Sequence, residues 1–175
     1  MTMLDVDGLS FTFPDDWDVS KFDDWAFCKR FQNIVPKTGA VDLMAISPAY
    51  DDGTPITLWL IEVKDYRQHL RENPSTLDVV IAEKVRGTLA ALLPAKLDAH
   101  DAGHRRVAGK ALNSKRIRIL LHLEQPAVRS AYVPNRSAIN RANVLADLKT
   151  RVRSIDPHPR IVDRTTPDLP WTVTP

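Results

Sequence analysis

Cysteine is nearly absent from this 175-residue chain, with Cys28 the only one. A single thiol cannot close an internal disulfide or build a thiolate metal cluster, so a reducing cytoplasm is the expected compartment. Glycine is scarce, at 6 residues, and no Gly-rich loop that would cradle phosphates is present, which leaves nucleoside-triphosphate hydrolysis without support. No apolar run approaches the roughly 20 residues of a membrane span. The opening MTMLDVDGLS has no basic region followed by an apolar one, so neither a membrane segment nor an export leader is expected. Glutamate is missing from everything before Glu62, although aspartate is plentiful there.

What is present is an ordinary globular composition, 43% hydrophobic and 26% charged, enough to bury one core without staples. One domain over residues 1–165 is expected, followed by an extended, proline-broken tail over 166–175. The net charge of +2 conceals an asymmetry: residues 1–65 carry a net −7 and residues 66–175 a net +9. Such a split suits a molecule that gathers cations at one place and attracts polyanions such as nucleic acid at another.

Periodicity predicts strands at LSFTFP (9–14), VDLMAI (41–46), ITLWLIEVKDY (56–66), KRIRILLHLE (115–124) and RIVD (160–163). Helices are predicted within 18–34, over about 76–93 with Ser75 and Asp78 as a cap pattern, and over 137–152. The Asp52-Gly53 pair marks a hairpin between the second and third strands. Both of those strands are apolar at consecutive positions, so both faces must be covered. An α/β fold, an α/β/α sandwich with helices on both faces of a central mixed sheet, meets that requirement.

The run LWLIEVKDY (58–66) then poses a chemical question. A strand buried on both faces ends in Glu62 and Lys64, which alternation places on one face. Asp42, at the start of the hairpin partner, faces Glu62 in a plausible register. Two carboxylates side by side repel unless one is protonated or a cation lies between them. Mg²⁺, or Mn²⁺, is the fitting cation, held by Asp42 and Glu62 with phosphate oxygens and water completing its shell. Lys64 would orient a water or stabilise charge on a phosphate. A lone Glu-x-Lys on a solvated strand would be worth little, but the buried run before it and the acid on the neighbouring strand favour function.

VDLMAI followed by LWLIEVKDY resembles the core of the PD-(D/E)xK, or restriction-endonuclease-like, nucleases. The resemblance covers about residues 40–67 and has Val41 where the family's name has proline. It implies a restriction-endonuclease-like fold and a Mg²⁺-dependent hydrolase of nucleic acid, DNA in preference to RNA, with Asp42, Glu62 and Lys64 as catalytic residues. An acid on the first helix is also implied, for which Asp23 and Asp24 are the candidates, and a homodimer would suit duplex cleavage. The alternative is a catalytically inactive nucleic-acid- or protein-binding module on the same fold.

Other features carry less. Lys84, flanking the apolar face of the helix after the Glu-x-Lys strand, either reaches the site or lies along the core edge. Arg105, Arg106, Lys110, Lys115, Arg116 and Arg118 form an acid-free basic run, read as a loop tracking phosphates or as a solvated face. Arg141, Lys149, Arg151 and Arg153 add a weaker patch. His100 and His104 stand four apart, but Asp101 and Gly103 argue for a loop and no third ligand is near. Cys28 reads as buried, and Trp17, Trp25, Trp59 and Trp171 as core or tail anchors.

Overall fold

The computed structural model describes residues 1–36, 38–67, 76–125 and 139–175. Among them are strands β1 (Thr2–Val6), β2 (Leu9–Phe13), β3 (Asp18–Lys21), β4 (Leu43–Ser47), β5 (Thr57–Asp65), β6 (Arg116–Glu124), β7 (Arg160–Val162) and β8 (Thr172–Thr174). The helices are α1 (Ala26–Ile34), α2 (Leu77–Asp98), α3 (Ala102–Leu112) and α4 (Arg141–Val152). No helix among the described residues is long and apolar enough to cross a membrane.

The central sheet has the order β3-β4-β5-β6-β7, antiparallel from β3 to β5 and parallel from β5 to β7. The expected mixed α/β architecture is therefore present. The hairpin is as read: Ile46 pairs with Leu58 and Leu43 with Ile61, and Gly53 turns the chain at φ 86°. Between β5 and β6 the chain crosses over through α2 and α3, as parallel neighbours require.

The layers differ from the expected sandwich. Alternation along β4, β5 and β6 sends Met44, Ile46, Leu58, Leu60, Ile119, Leu121 and Leu123 into one core, shared with α1 through α4. The opposite face carries Leu43, Ala45, Ile61, Val63 and Leu120, covered by Val6, Leu9, Phe11, Phe13, Trp17 and Trp171. That cover is a second sheet of order β1-β2-β8. Helices thus pack on one face and a small sheet on the other. The physical requirement, two covered faces, was right; the second cover is strand because the N-terminal segment alternates with period 2.

Two local readings are also corrected. Residues 18–34 hold an edge strand, β3, then a 3₁₀ turn over Phe22–Asp24, and only then α1. The segment around Gly103, read as loop, is α3: Asp101 is its N-cap, accepting from the His104 N–H at 2.9 Å. Asp at the N-cap and a small residue in the first turn are helix-start chemistry, not loop chemistry. The cap pattern at Ser75 lies outside the described residues, while Asp78 pairs with Arg151 of α4. Positions 137 and 138 of the last predicted helix also lie outside them, and α4 starts after Asn140, which caps Ala142 and Asn143.

Candidate anion and cation site at the end of the central hairpin

The ladder register places Asp42 opposite Glu62, one step beyond the Leu43–Ile61 pair. Asp42 extends the hairpin with its side chain, its Oδ2 accepting the Val63 N–H at 2.7 Å. Glu62, Lys64 and Asp42 share the parity of Leu60 and Met44 and so face the helices. From α2, Lys84 reaches down: its Nζ lies 3.2 Å from Asp42 Oδ1 and 2.6 Å from Glu62 Oε1. Lys64 Nζ lies 2.6 Å from the same Glu62 oxygen, 3.9 Å from Asp42 Oδ2 and 2.9 Å from the Val63 carbonyl. The structure therefore brings Asp42, Glu62 and Lys64 together and adds Lys84.

Backbone packing sets this reach. A Cβ on Gly87 would meet the Gly39 carbonyl oxygen at 2.1 Å, so only glycine lets α2 approach the 38–41 segment so closely. The Val41 N–H then donates to Thr88 Oγ1 at 3.0 Å. Of the two readings the sequence allows for Lys84, reaching the site or lying along the core edge, the structure shows the first. Lys84 falls between Ile81 and Thr88 on the buried stripe of α2, where helical spacing otherwise places core residues.

Glu62 is 1% exposed. Burial, the larger effect, and the charge of Asp42 push its carboxyl above the ordinary glutamate value, against the pull of Lys84 and Lys64. Burial alone would lower both lysines. The Glu62 and Asp42 carboxylates outweigh it and hold each ammonium above the ordinary lysine value. The cluster is thus a compact array of two carboxyl groups and two ammonium groups in mutual contact, which explains how Glu62 tolerates the core.

Asp23, in the 3₁₀ turn, borders this array: burial raises its carboxyl and Asp42 raises it further, while Lys84 lowers it. Asp24 instead pairs with Lys29 at 3.0 Å and Lys21 at 3.2 Å, away from the cluster. The buried carboxylate oxygens Asp23 Oδ1 and Glu62 Oε2 have no hydrogen-bond partner among the described residues. Among the described residues no group of three or more His, Cys, Asp or Glu is arranged to hold a metal ion. Two facing carboxylates and a partnerless oxygen still match the donor set of a Mg²⁺ that keeps water and phosphate oxygens as its other ligands. The Lys84 ammonium lies between the same two carboxylates and would compete with it.

The remaining candidates fall elsewhere. Arg105 donates to the carbonyls of Ala99 and His100, Lys110 pairs with Asp18, and Arg118 with Asp156. Much of the basic run is thus committed to the fold. His104 stacks on Trp25 with centroids 4.1 Å apart, and His100 is exposed before the N-cap of α3. Cys28 is buried, its thiol raised to about 11 chiefly by that burial, and is no nucleophile.

No family model matches the chain, and no solved structure matches it. The chain is 35% identical over 171 residues to a cysteine–tRNA ligase of Neisseria meningitidis, an alignment covering 84% of this chain and 24% of the ligase. The chain thus spans about a quarter of that relative's length. This finding overturns the expectation of a Mg²⁺-dependent nuclease: the relative is a tRNA ligase, not a nucleic-acid hydrolase. The expectation of a dimer rested on duplex cleavage and loses that ground.

Proposed function

We propose that this chain is a tRNA-binding module of an aminoacyl-tRNA synthetase-related protein, acting where such chemistry takes place, in the cytoplasm. The observation that carries the proposal is the 35% identity to a cysteine–tRNA ligase over 84% of the chain. Because the match spans 24% of that ligase, the module is assigned recognition of RNA and not the joining step. The scaffold relation to the restriction-endonuclease-like core, in this reading, concerns the hairpin alone.

The cluster suits contact with phosphate. An ammonium has three N–H donors. Lys84 spends two on Asp42 and Glu62, and Lys64 two on Glu62 and Val63, which leaves one on each. Both side chains are 23% exposed, so those donors are within reach of an incoming anion. The buried carboxylates fix where the ammoniums stand, and a placed cation binds phosphate at lower entropic cost than a free one. Asp42 and Glu62 are the residues that would hold Mg²⁺ or Mn²⁺, in place of the Lys84 ammonium that stands between them, and the ion would supply positive charge toward a phosphate. The site lies at the carboxyl end of the parallel β5–β6 pair, where open α/β sheets receive ligands.

Fluorescence anisotropy with a tRNA transcript, competed by duplex DNA of equal charge over a salt series, tests the reading. The expected result is tRNA binding that weakens linearly with log salt and resists DNA competition. Lys64→Met should weaken binding several-fold while the fold persists. Absence of tRNA binding at low salt, or displacement by DNA as effective as by tRNA, overturns the proposal.

A further inference from the structure

At the other end of the sheet, where β6 begins, an open cleft of about 500 Å³ is lined by Lys115, Arg116, Arg118 and His158, with Ile117 and Ile155 among its apolar residues. It is open to solvent on one side, so a ligand there would be held chiefly by the charged side chains at its wall. Among the described residues no acidic side chain lines it. Thr57 pairs with Arg116 and Lys64 with Leu123, so about seven strand residues, on the order of 20 Å, separate the cleft from the hairpin cluster.

Behind the cleft wall lies a buried carboxylate that does not line it. Asp156 is fully buried and accepts three donors: Arg118 Nη1 at 2.9 Å, the Ile119 N–H at 2.8 Å and the His158 N–H at 2.9 Å. These bonds tie the segment after α4 to the start of β6 and hold His158 beside Arg118. They also anchor the Arg118 guanidinium by one nitrogen, leaving its other N–H groups without a partner among the described residues. Lys115 and Arg116 have no side-chain partner there either. Asp52, which senses the charge of Arg116, is committed to the Thr54 N–H at 2.8 Å. An anchored guanidinium is a preorganised donor for a phosphate.

We propose that this cleft binds a phosphate carried on a ribose, with Arg116, Arg118 and Lys115 taking the phosphate oxygens and Ile117 and Ile155 the face of the sugar or base. The two sources of that chemistry are a free nucleotide and the phosphorylated end of an RNA strand. The assignment does not rest on tRNA binding at the hairpin cluster, since the two sites lie at opposite ends of the sheet.

Isothermal titration of the full chain with adenosine monophosphate, with adenosine, and with a short RNA bearing or lacking a 5′ phosphate tests it. Adenosine should bind at least about tenfold more weakly than its monophosphate, and Lys115→Ala/Arg116→Ala should weaken the monophosphate by about tenfold or more. Lys96→Ala removes an exposed charge outside the cleft and should leave that affinity unchanged. Tighter binding of the phosphorylated RNA than of the monophosphate assigns the site to an RNA end; the reverse assigns it to a free nucleotide. Equal affinity for adenosine and its monophosphate overturns the proposal. So does an unchanged affinity in the double variant, or an equal loss in Lys96→Ala.

Discussion

At the scale of single residues, the site depends on an atom that is missing. Gly87 has no Cβ, and one would stand 2.1 Å from the Gly39 carbonyl oxygen, so Gly87→Ala must push the 38–41 segment off α2. Backbone does not yield as a side-chain tip does, and an overpacking cost of about 1–3 kcal/mol is expected. Chemical denaturation measures it, and a loss below about 0.5 kcal/mol, the size of an ordinary surface change, would show that the close approach is not required. His122 offers a second residue-scale test. Fully buried, it packs edge-on to Phe11 and its Nε2 lies 3.0 Å from Glu124 Oε1. Burial depresses its ring below the ordinary histidine value, more than Glu124 and Asp163 raise it, with Arg141 adding to the depression. A depressed histidine contributes stability that is complete above the unfolded value, about 6.5, and is lost as pH falls through the folded value. Thermal melts from pH 8 to pH 5 should therefore show falling stability below about 6.5. His122→Gln, which keeps a neutral donor for Glu124, should flatten that slope. An identical slope in the variant would place the acid sensitivity elsewhere.

At the scale of elements, the basic run divides into structural and free cations, and α3 is where the division shows. Arg105 ties the end of α2 to the start of α3 by donating to the Ala99 and His100 carbonyls. Arg105→Ala should therefore cost about 1 kcal/mol of stability and leave the salt dependence of the proposed RNA binding unchanged. A shallower salt slope with unchanged stability would return Arg105 to the RNA surface. The same helix marks a limit of what the sequence discloses. The hairpin was legible because VDLMAI and LWLI are apolar without a break and Asp52-Gly53 marks the turn between them. The convergence of Asp42, Glu62 and Lys64 followed from strand parity together with the hairpin register. α3 was missed because its buried residues, Ala108 and Ala111, are small, so its stripe carries little hydrophobic contrast. β1 was missed although Asp7-Gly8 marks a turn before β2, because Met3 and Asp5 are exposed and only Val6 is buried. β3 is four half-buried residues at a sheet edge and has no period to read. The convergence of these residues was legible, but their chemistry was not: the relative's identity, which no spacing encodes, removed the nuclease reading.

At the scale of the whole molecule, the covering of the second sheet face is what the sequence pattern under-determined. The C-terminal segment contributes to it directly. β8 pairs with β2, Phe11 facing Val173, and Trp171 just before it is 4% exposed. Its ring lies 5.3 Å from Phe13, 5.3 Å from Trp59 and 6.0 Å from Trp17, so it bridges both sheets. An aromatic in such a position should carry about 3–5 kcal/mol, the usual cost of truncating a buried Phe or Trp to alanine. One detail separates packing from polarity: Trp171 Nε1 is buried without a hydrogen-bond partner among the described residues. An unpaired buried donor costs about 1–3 kcal/mol, so Trp171→Phe, which removes that donor and keeps a six-membered ring against Phe13 and Trp59, should recover much of the loss seen in Trp171→Ala. Urea unfolding of the three proteins, followed by tryptophan fluorescence and by far-ultraviolet circular dichroism, decides the matter. If the small sheet and the central sheet share one core, both probes report a single transition that moves to lower urea by the full amount in Trp171→Ala and by a fraction of it in Trp171→Phe. A Trp171→Ala protein that unfolds at the wild-type midpoint by circular dichroism, while its fluorescence changes early, would mean that β1, β2 and β8 melt apart from a central sheet that stands without them.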